Sequence, residues 1–142
     1  MPMIDVYAPA GTFDDTAQLA ADAATTVMTV EGVPDISMFR DNTAAFVHEL
    51  PSGSFSDVNA NAHHVRVQVL TNAGALTREQ QVAVVAQLTD LVVRAAGDDL
   101  LAERTWVLLT EAAPGGWGLW GHAHTNEELV AAARAEIAKS AG

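Results

Sequence analysis

The sequence has no cysteine, few basic residues and no long apolar run, and each deficit removes a class of explanation. With 0 cysteines in the chain there can be no disulfide framework and no thiolate metal site, which suits a reducing cytoplasm, the compartment expected here. The 7 Lys and Arg residues stand against 18 Asp and Glu, a formal charge of −11, so nucleic acid and anionic membrane surfaces are poor partners. No basic start leads into an apolar stretch, and neither a signal peptide nor a membrane span is expected. The bases that remain, Arg40, Arg66, Arg78, Arg94, Arg104, Arg134 and Lys139, are scattered. An anionic substrate would therefore face an opposing overall field and would depend on one or two well-placed arginines.

What is present is order at two levels. At 142 residues the chain reads as a single domain, large enough to bury about two-thirds of its unfolded surface without staples. An alternating strand begins at Met3. Thr12-Phe13-Asp14-Asp15 then opens an Ala-rich helix to about Val30, with apolar residues at Phe13, Ala17, Ala20, Ala24 and Val27. A loop with Gly32 and Pro34 leads to a strand near Thr43 to Leu50. From His63 the order repeats: a strand through Val65, Val67 and Val69, a capping box Thr77-Arg78-Glu79-Gln80, a helix to Gly97, and a strand from Thr105 to Thr110.

The two halves also end alike. Glu49, Gly53 and Phe55 match Glu111, Gly115 and Trp117 at one constant spacing, which marks an internal duplication. The expected architecture is α+β: tandem β-α-β units, about residues 2–62 and 63–124, forming a four-stranded sheet with two helices on one face. A C-terminal helix, about 125–139, is opened by a second capping box, Thr125 to Glu128. Parallel pairing within each unit requires a right-handed crossover. Two helices cannot cover both faces of four strands, so the open face or the edges are expected to oligomerise.

The chemistry is sought at the start. Met1-Pro2 puts a small second residue where methionine removal favours one, and loss of Met1 would leave a proline with a free secondary amine. An amine is a base and a nucleophile, whereas an amide is neither. Pro2, the duplicated units, and Trp106-Val107-Leu108-Leu109-Thr110-Glu111 before Gly115-Gly116-Trp117-Gly118-Leu119-Trp120-Gly121 together resemble the tautomerase superfamily. The second half resembles one subunit of 4-oxalocrotonate tautomerase. The whole chain, over about residues 2–125, resembles the fused members: malonate semialdehyde decarboxylases, cis-3-chloroacrylic acid dehalogenases and macrophage migration inhibitory factor.

That resemblance implies a homotrimeric barrel of sheets, no cofactor, and a small-molecule substrate. It also implies a tautomerase, an isomerase that interconverts keto and enol forms of a small 2-oxo acid or aryl pyruvate, with Pro2 as general base. An apolar pocket lowers the amine's pKa toward working pH, and a donor or cation must hold the enolate oxygen. Trp117 aligns with the family's pocket aromatic, and Phe55 is its partner in the first half. The usual arginine positions hold Thr12, Leu76, Ala44 and Trp106, and the loop Thr71-Asn72-Ala73-Gly74-Ala75-Leu76 holds none. Arg104 and Arg40 are then the remaining anion-binding candidates, with Trp106 beside Arg104. Two alternatives stay open: a decarboxylase or a hydratase/dehalogenase on the same fold, and a non-catalytic binding trimer. His63-His64 and His122-x-His124 have ligand-like spacing, but no cysteine or carboxylate pair completes a metal site, and none is expected.

Overall fold

The computed structural model describes residues 1–142. The first unit comprises β1 (Met3–Pro9), α1 (Thr16–Glu31), a short α2 (Ser37–Asp41) and β2 (Ala44–Leu50). The second comprises β3 (Val65–Thr71), α3 (Arg78–Ala96), a 3₁₀ turn (Asp99–Glu103) and β4 (Thr105–Glu111). A two-stranded ribbon, β5 (Trp117–Leu119) and β6 (His122–His124), precedes α4 (Asn126–Ser140). The four-stranded sheet has the order β2-β1-β3-β4. β1–β2 and β3–β4 are parallel, and the two units meet antiparallel through β1 and β3. The expected pair of β-α-β units is what forms.

Local signals account for the helix limits. Asp15 caps α1 by accepting from the Gln18 backbone N–H, and Gly32 closes it in the left-handed conformation. Thr77 and Gln80 form the reciprocal box at the start of α3, with Gly97 as its left-handed stop. Gln80 also bridges the two helices. Its Nε2 donates to the Val30 and Glu31 carbonyls at 3.0 and 3.3 Å, so the start of α3 is tied to the end of α1.

Period-two patterning divides the sheet faces. Ile4, Val6, Ala8, Val65, Val67 and Val69 point toward the helices and are buried against Leu19, Ala23, Val27, Val84, Leu88 and Val92. Burying each of the Val, Leu and Ile side chains contributes about 1.5–3 kcal/mol. The opposite face carries Asp5, Tyr7, Phe46, His48, Arg66, Gln68, Trp106 and Leu108, with Phe46 and Trp106 still 53% and 41% exposed.

One end of that open face is covered by the chain itself. Met1, Met38, Trp117, Leu129 and Ala133 form a separate buried cluster with Met3, Ile36, Phe39 and Leu70 packed against it. The C-terminal helix thus packs on its own subunit. Two details differ from the sequence expectation. The loop after Gly32 contains α2, whose Met38 joins this cluster. A tight hairpin joins β5 to β6 at Trp120-Gly121, both with positive φ, +54° and +74°, as a type I′ turn requires, while Pro114-Gly115 forms a separate turn in which Gly116 N donates to the Ala113 carbonyl at 2.9 Å.

Candidate active site

Glu31 ends α1, where the helix macrodipole disfavours an acid, and its side chain is only 7% exposed. A buried carboxylate is costly unless paired. Its partner is the chain's own amine: Met1 N donates to both Glu31 oxygens, at 3.1 and 3.3 Å, and the Met1 side chain is 1% exposed. Burial pulls this amine below its ordinary pKa, and the charge and hydrogen bond of Glu31 offset only part of that pull. Pro2 itself is buried, and its carbonyl accepts from Ala44 N at 3.3 Å. Covalent geometry puts the Pro2 nitrogen about 3 Å from the Met1 nitrogen. Removing Met1 would leave the Pro2 amine within a short shift of the same carboxylate and would vacate a methionine-sized space among Met38, Trp117, Leu129 and Ala133.

The residues singled out from the sequence fall into three places. Trp117 is buried in the Met1 cluster, at the Pro2 end. Phe55 and Trp106 lie at the far end of the sheet, since Trp106 pairs with Arg66 and Arg66 with Tyr7. There the two rings are 6.1 Å apart, and His64 stacks on Trp106 at 4.6 Å. Arg104 belongs to this far end too, its carbonyl accepting from Val65 N. Arg40 shares α2 with Met38 but faces a different groove, of about 510 Å³, lined by Thr25, Met28, Thr29 and Asp35. It is 65% exposed and paired with Asp35 at 2.9 Å. Within one chain, then, only Trp117 joins Pro2.

The histidines have local partners. His122 meets Glu128 at 3.1 Å, His124 meets the Trp117 carbonyl at 3.3 Å, and His48 meets Asp5 at 2.7 Å. His63 and His64 line a second concavity of about 510 Å³ with Pro9, Thr12 and Phe55, remote from Pro2.

Known proteins show the same frame. Residues 64–126 match the family model described as Tautomerase enzyme. A fused 4-OT, solved as a symmetric trimer, superposes with a TM-score of 0.73 at 18% identity, over 89% of this chain and 98% of that one. The chain carries the tautomerase fold. N1, a member of the cis-3-chloroacrylic acid dehalogenase family, gives a TM-score of 0.70 at 19% identity over 90% and 88% of the two chains. Malonate semialdehyde decarboxylase gives 0.64 at 20% over 92% and 98%. No curated protein sequence matches. In this tautomerase-fold chain, sequence reasoning had passed over Glu31. The signal available was an acid at the last position of a helix, just before its glycine stop, a placement that local electrostatics opposes.

Proposed function

We propose that the protein is a keto-enol tautomerase in which Pro2, freed by loss of Met1, acts as the general base. The observation that carries this is the buried N-terminal amine, held by Glu31 against an apolar cluster that includes Trp117. A neutral Pro2 amine would take a proton from the carbon next to a carbonyl, forming an enolate and a prolinium that Glu31 stabilises. The prolinium would then return the proton to oxygen or to another carbon. The reaction is an isomerisation, balanced without a cofactor. Trp117 would form a wall of the pocket and help to keep water from the amine.

A homotrimer is part of the reading. Fused 4-OT relatives are described as trimers, and the exposed Phe46, Trp106 and Leu108 on the open sheet face are apolar area that assembly would bury. Assembly is also the route by which Phe55, Trp106 and Arg104 of one copy would reach Pro2 of another.

The test has two stages. Intact mass reports whether Met1 is gone. Pro2-dependent proton transfer is then followed as loss of enol from phenylenolpyruvate, 2-hydroxymuconate and neutral enols, with product analysis on malonate semialdehyde to detect decarboxylation. Wild-type rates no greater than those of Pro2→Ala on every enol would overturn the reading and leave a binding trimer. A covalent adduct of 2-oxo-3-pentynoate on Pro2 would support it, that compound having inactivated the structurally similar Pt0534.

A further inference from the structure

The two units repeat in space as well as in sequence. β1 and β3 run antiparallel with Val6 opposite Val67, so a half-turn about that pair carries Ile4 onto Val65 and Pro2 onto His63. The turns that follow β2 and β4 repeat as well. Ser54 N donates to the Pro51 carbonyl at 3.1 Å as Gly116 N does to Ala113 at 2.9 Å, and Gly53 and Gly115 share a left-handed φ of +81° and +78°. Phe55 and Trp117 each stand two residues past those glycines. The helix stops Gly32 and Gly97 also match, which sets Ala96 at the end of α3 where Glu31 stands at the end of α1.

What covers the two ends differs. At the Pro2 end, Met1 and the α4 residues Leu129 and Ala133 fill the space. At the other end the chain passes from Phe55 to β3 without a helix. That end stays open as the concavity of about 510 Å³ bounded by Pro9, Leu50, Phe55, His63, His64 and Ala96. A cavity of that size suits a small molecule. These walls all come from one chain, and a neighbouring copy can either add to the rim or fill the space.

Its chemistry is the inverse of the Pro2 end. The acid of that end, Glu31, is replaced by the methyl group of Ala96, and the single amine by two imidazoles. The His64 side chain is 12% exposed, stacks on Trp106 at 4.6 Å and tilts against Phe55 at 5.6 Å. Its Nε2 lies 3.9 Å from Asp57 Oδ2, too far for a hydrogen bond, and its Nδ1 is buried with no partner. A residue in the cavity wall thus carries hydrogen-bonding capacity that the protein itself does not meet, an uncommon state in a folded chain. The two carboxylates at this end are already engaged. Asp57 accepts from the backbone N–H groups of Asn59 and Asn61 at 2.9 and 2.8 Å, and Asp98 accepts from Leu100 N at 3.0 Å.

We propose that this concavity is a second ligand site, distinct from Pro2, that takes a small aromatic carboxylate. The ring lies against Phe55 and Leu50. The carboxylate is met by the imidazoles of His63 and His64, whose charged form holds an anion more strongly than a neutral donor does. Neither loss of Met1 nor a free Pro2 amine is needed, so the site is independent of the tautomerase reading.

The experiment compares 3-phenylpropionate with its amide, which share a shape and differ in charge, at about pH 6, where an ordinary imidazole is mostly protonated. NMR follows the histidine ring signals of ¹³C-labelled protein, and His63→Gln and His64→Gln assign two of the 5 histidines. Saturable shifts are expected in those two signals while His48, His122 and His124 stay in place, with the carboxylate binding about tenfold tighter than the amide. Pro2→Ala should leave this binding unchanged. The His63→Gln, His64→Gln double variant should weaken carboxylate binding about tenfold and leave amide binding as it was, with circular dichroism confirming its fold. No saturable shift at His63 or His64 overturns the proposal, as when a neighbouring copy fills the space, and so does equal binding of amide and carboxylate. Loss of the shifts in Pro2→Ala shows that the two sites are one and overturns it as well.

Discussion

The amine of Met1 and the carboxylate of Glu31 meet at 3.1 Å, with both side chains withdrawn from solvent. They are thirty positions apart in the chain. The contact fixes the start of β1 to the end of α1, and it partly offsets the burial that pulls this amine below its ordinary pKa. A pair so placed has separable consequences for stability, for pH and for N-terminal processing.

Breaking the pair from the acidic side leaves a buried ammonium without its counter-charge. In protein that retains Met1, Glu31→Ala should lower unfolding free energy by about 3 kcal/mol. Urea denaturation measures it. A loss smaller than that of an exposed acid such as Asp14→Ala would show that the carboxylate does not hold the terminus.

The same amine sets a pH dependence with a definite sign. Its folded-state pKa lies below the ordinary value because burial disfavours the charged form. The unfolded chain therefore binds more protons in the window just below the ordinary amine value, and stability rises with pH across it. The penalty is complete below the folded pKa and absent above the unfolded one. Unfolding midpoints between about pH 6 and 8.5 should climb in Met1-retaining protein, and N-terminal acetylation should flatten the climb.

Gln80 links two helices through one side chain, and its two roles can be separated. Its Oε1 accepts from Thr77 N at 2.8 Å inside the capping box, whereas its Nε2 donates to the α1 carbonyls. Gln80→Glu keeps the first role and loses the second. It also sets a carboxylate against two carbonyl oxygens. We expect Gln80→Glu to cost at least as much as Gln80→Ala, about 1–2 kcal/mol, the reverse of the order for an isolated capping box. Thermal unfolding of the two variants decides it.

Most of the frame was legible because it rests on local chemistry. The Thr77–Gln80 and Thr125–Glu128 boxes, the Gly97 stop and the valine alternation of β3 each specify an element within a few residues. The spacing of Phe55 and Trp117 exposed the duplication, but it also made them look like neighbours. The fold sends them to opposite ends of the sheet, because a repeat preserves each residue's place in its own unit and not its distance from Pro2. Glu31 was hidden for a related reason. Its significance lies in a contact across thirty residues, which leaves no periodic trace. The helix α2 was missed because five residues after Pro34 give too short a pattern to read.

The C-terminal helix covers the Met1 cluster, so its anchor should govern access to that space. Glu128 accepts from Thr125 N at 2.9 Å and meets His122 at 3.1 Å, and these contacts, the backbone one first, hold its carboxyl below the usual glutamate range. A depressed carboxylate stabilises the fold above its unfolded pKa, and that contribution is lost as pH falls through the folded value. Acidification should therefore loosen the start of α4 before the sheet melts, withdrawing Leu129 and Ala133 from Met1 and Trp117. In a Trp106→Phe, Trp120→Phe background, where Trp117 is the remaining fluorophore, emission should shift to longer wavelength below about pH 4.5 while far-ultraviolet dichroism from the sheet persists. Glu128→Gln retains an acceptor but has no charge to titrate, and should abolish that early shift. If Trp117 emission and the sheet signal instead change together in both proteins, α4 is not separately anchored and does not control the cluster.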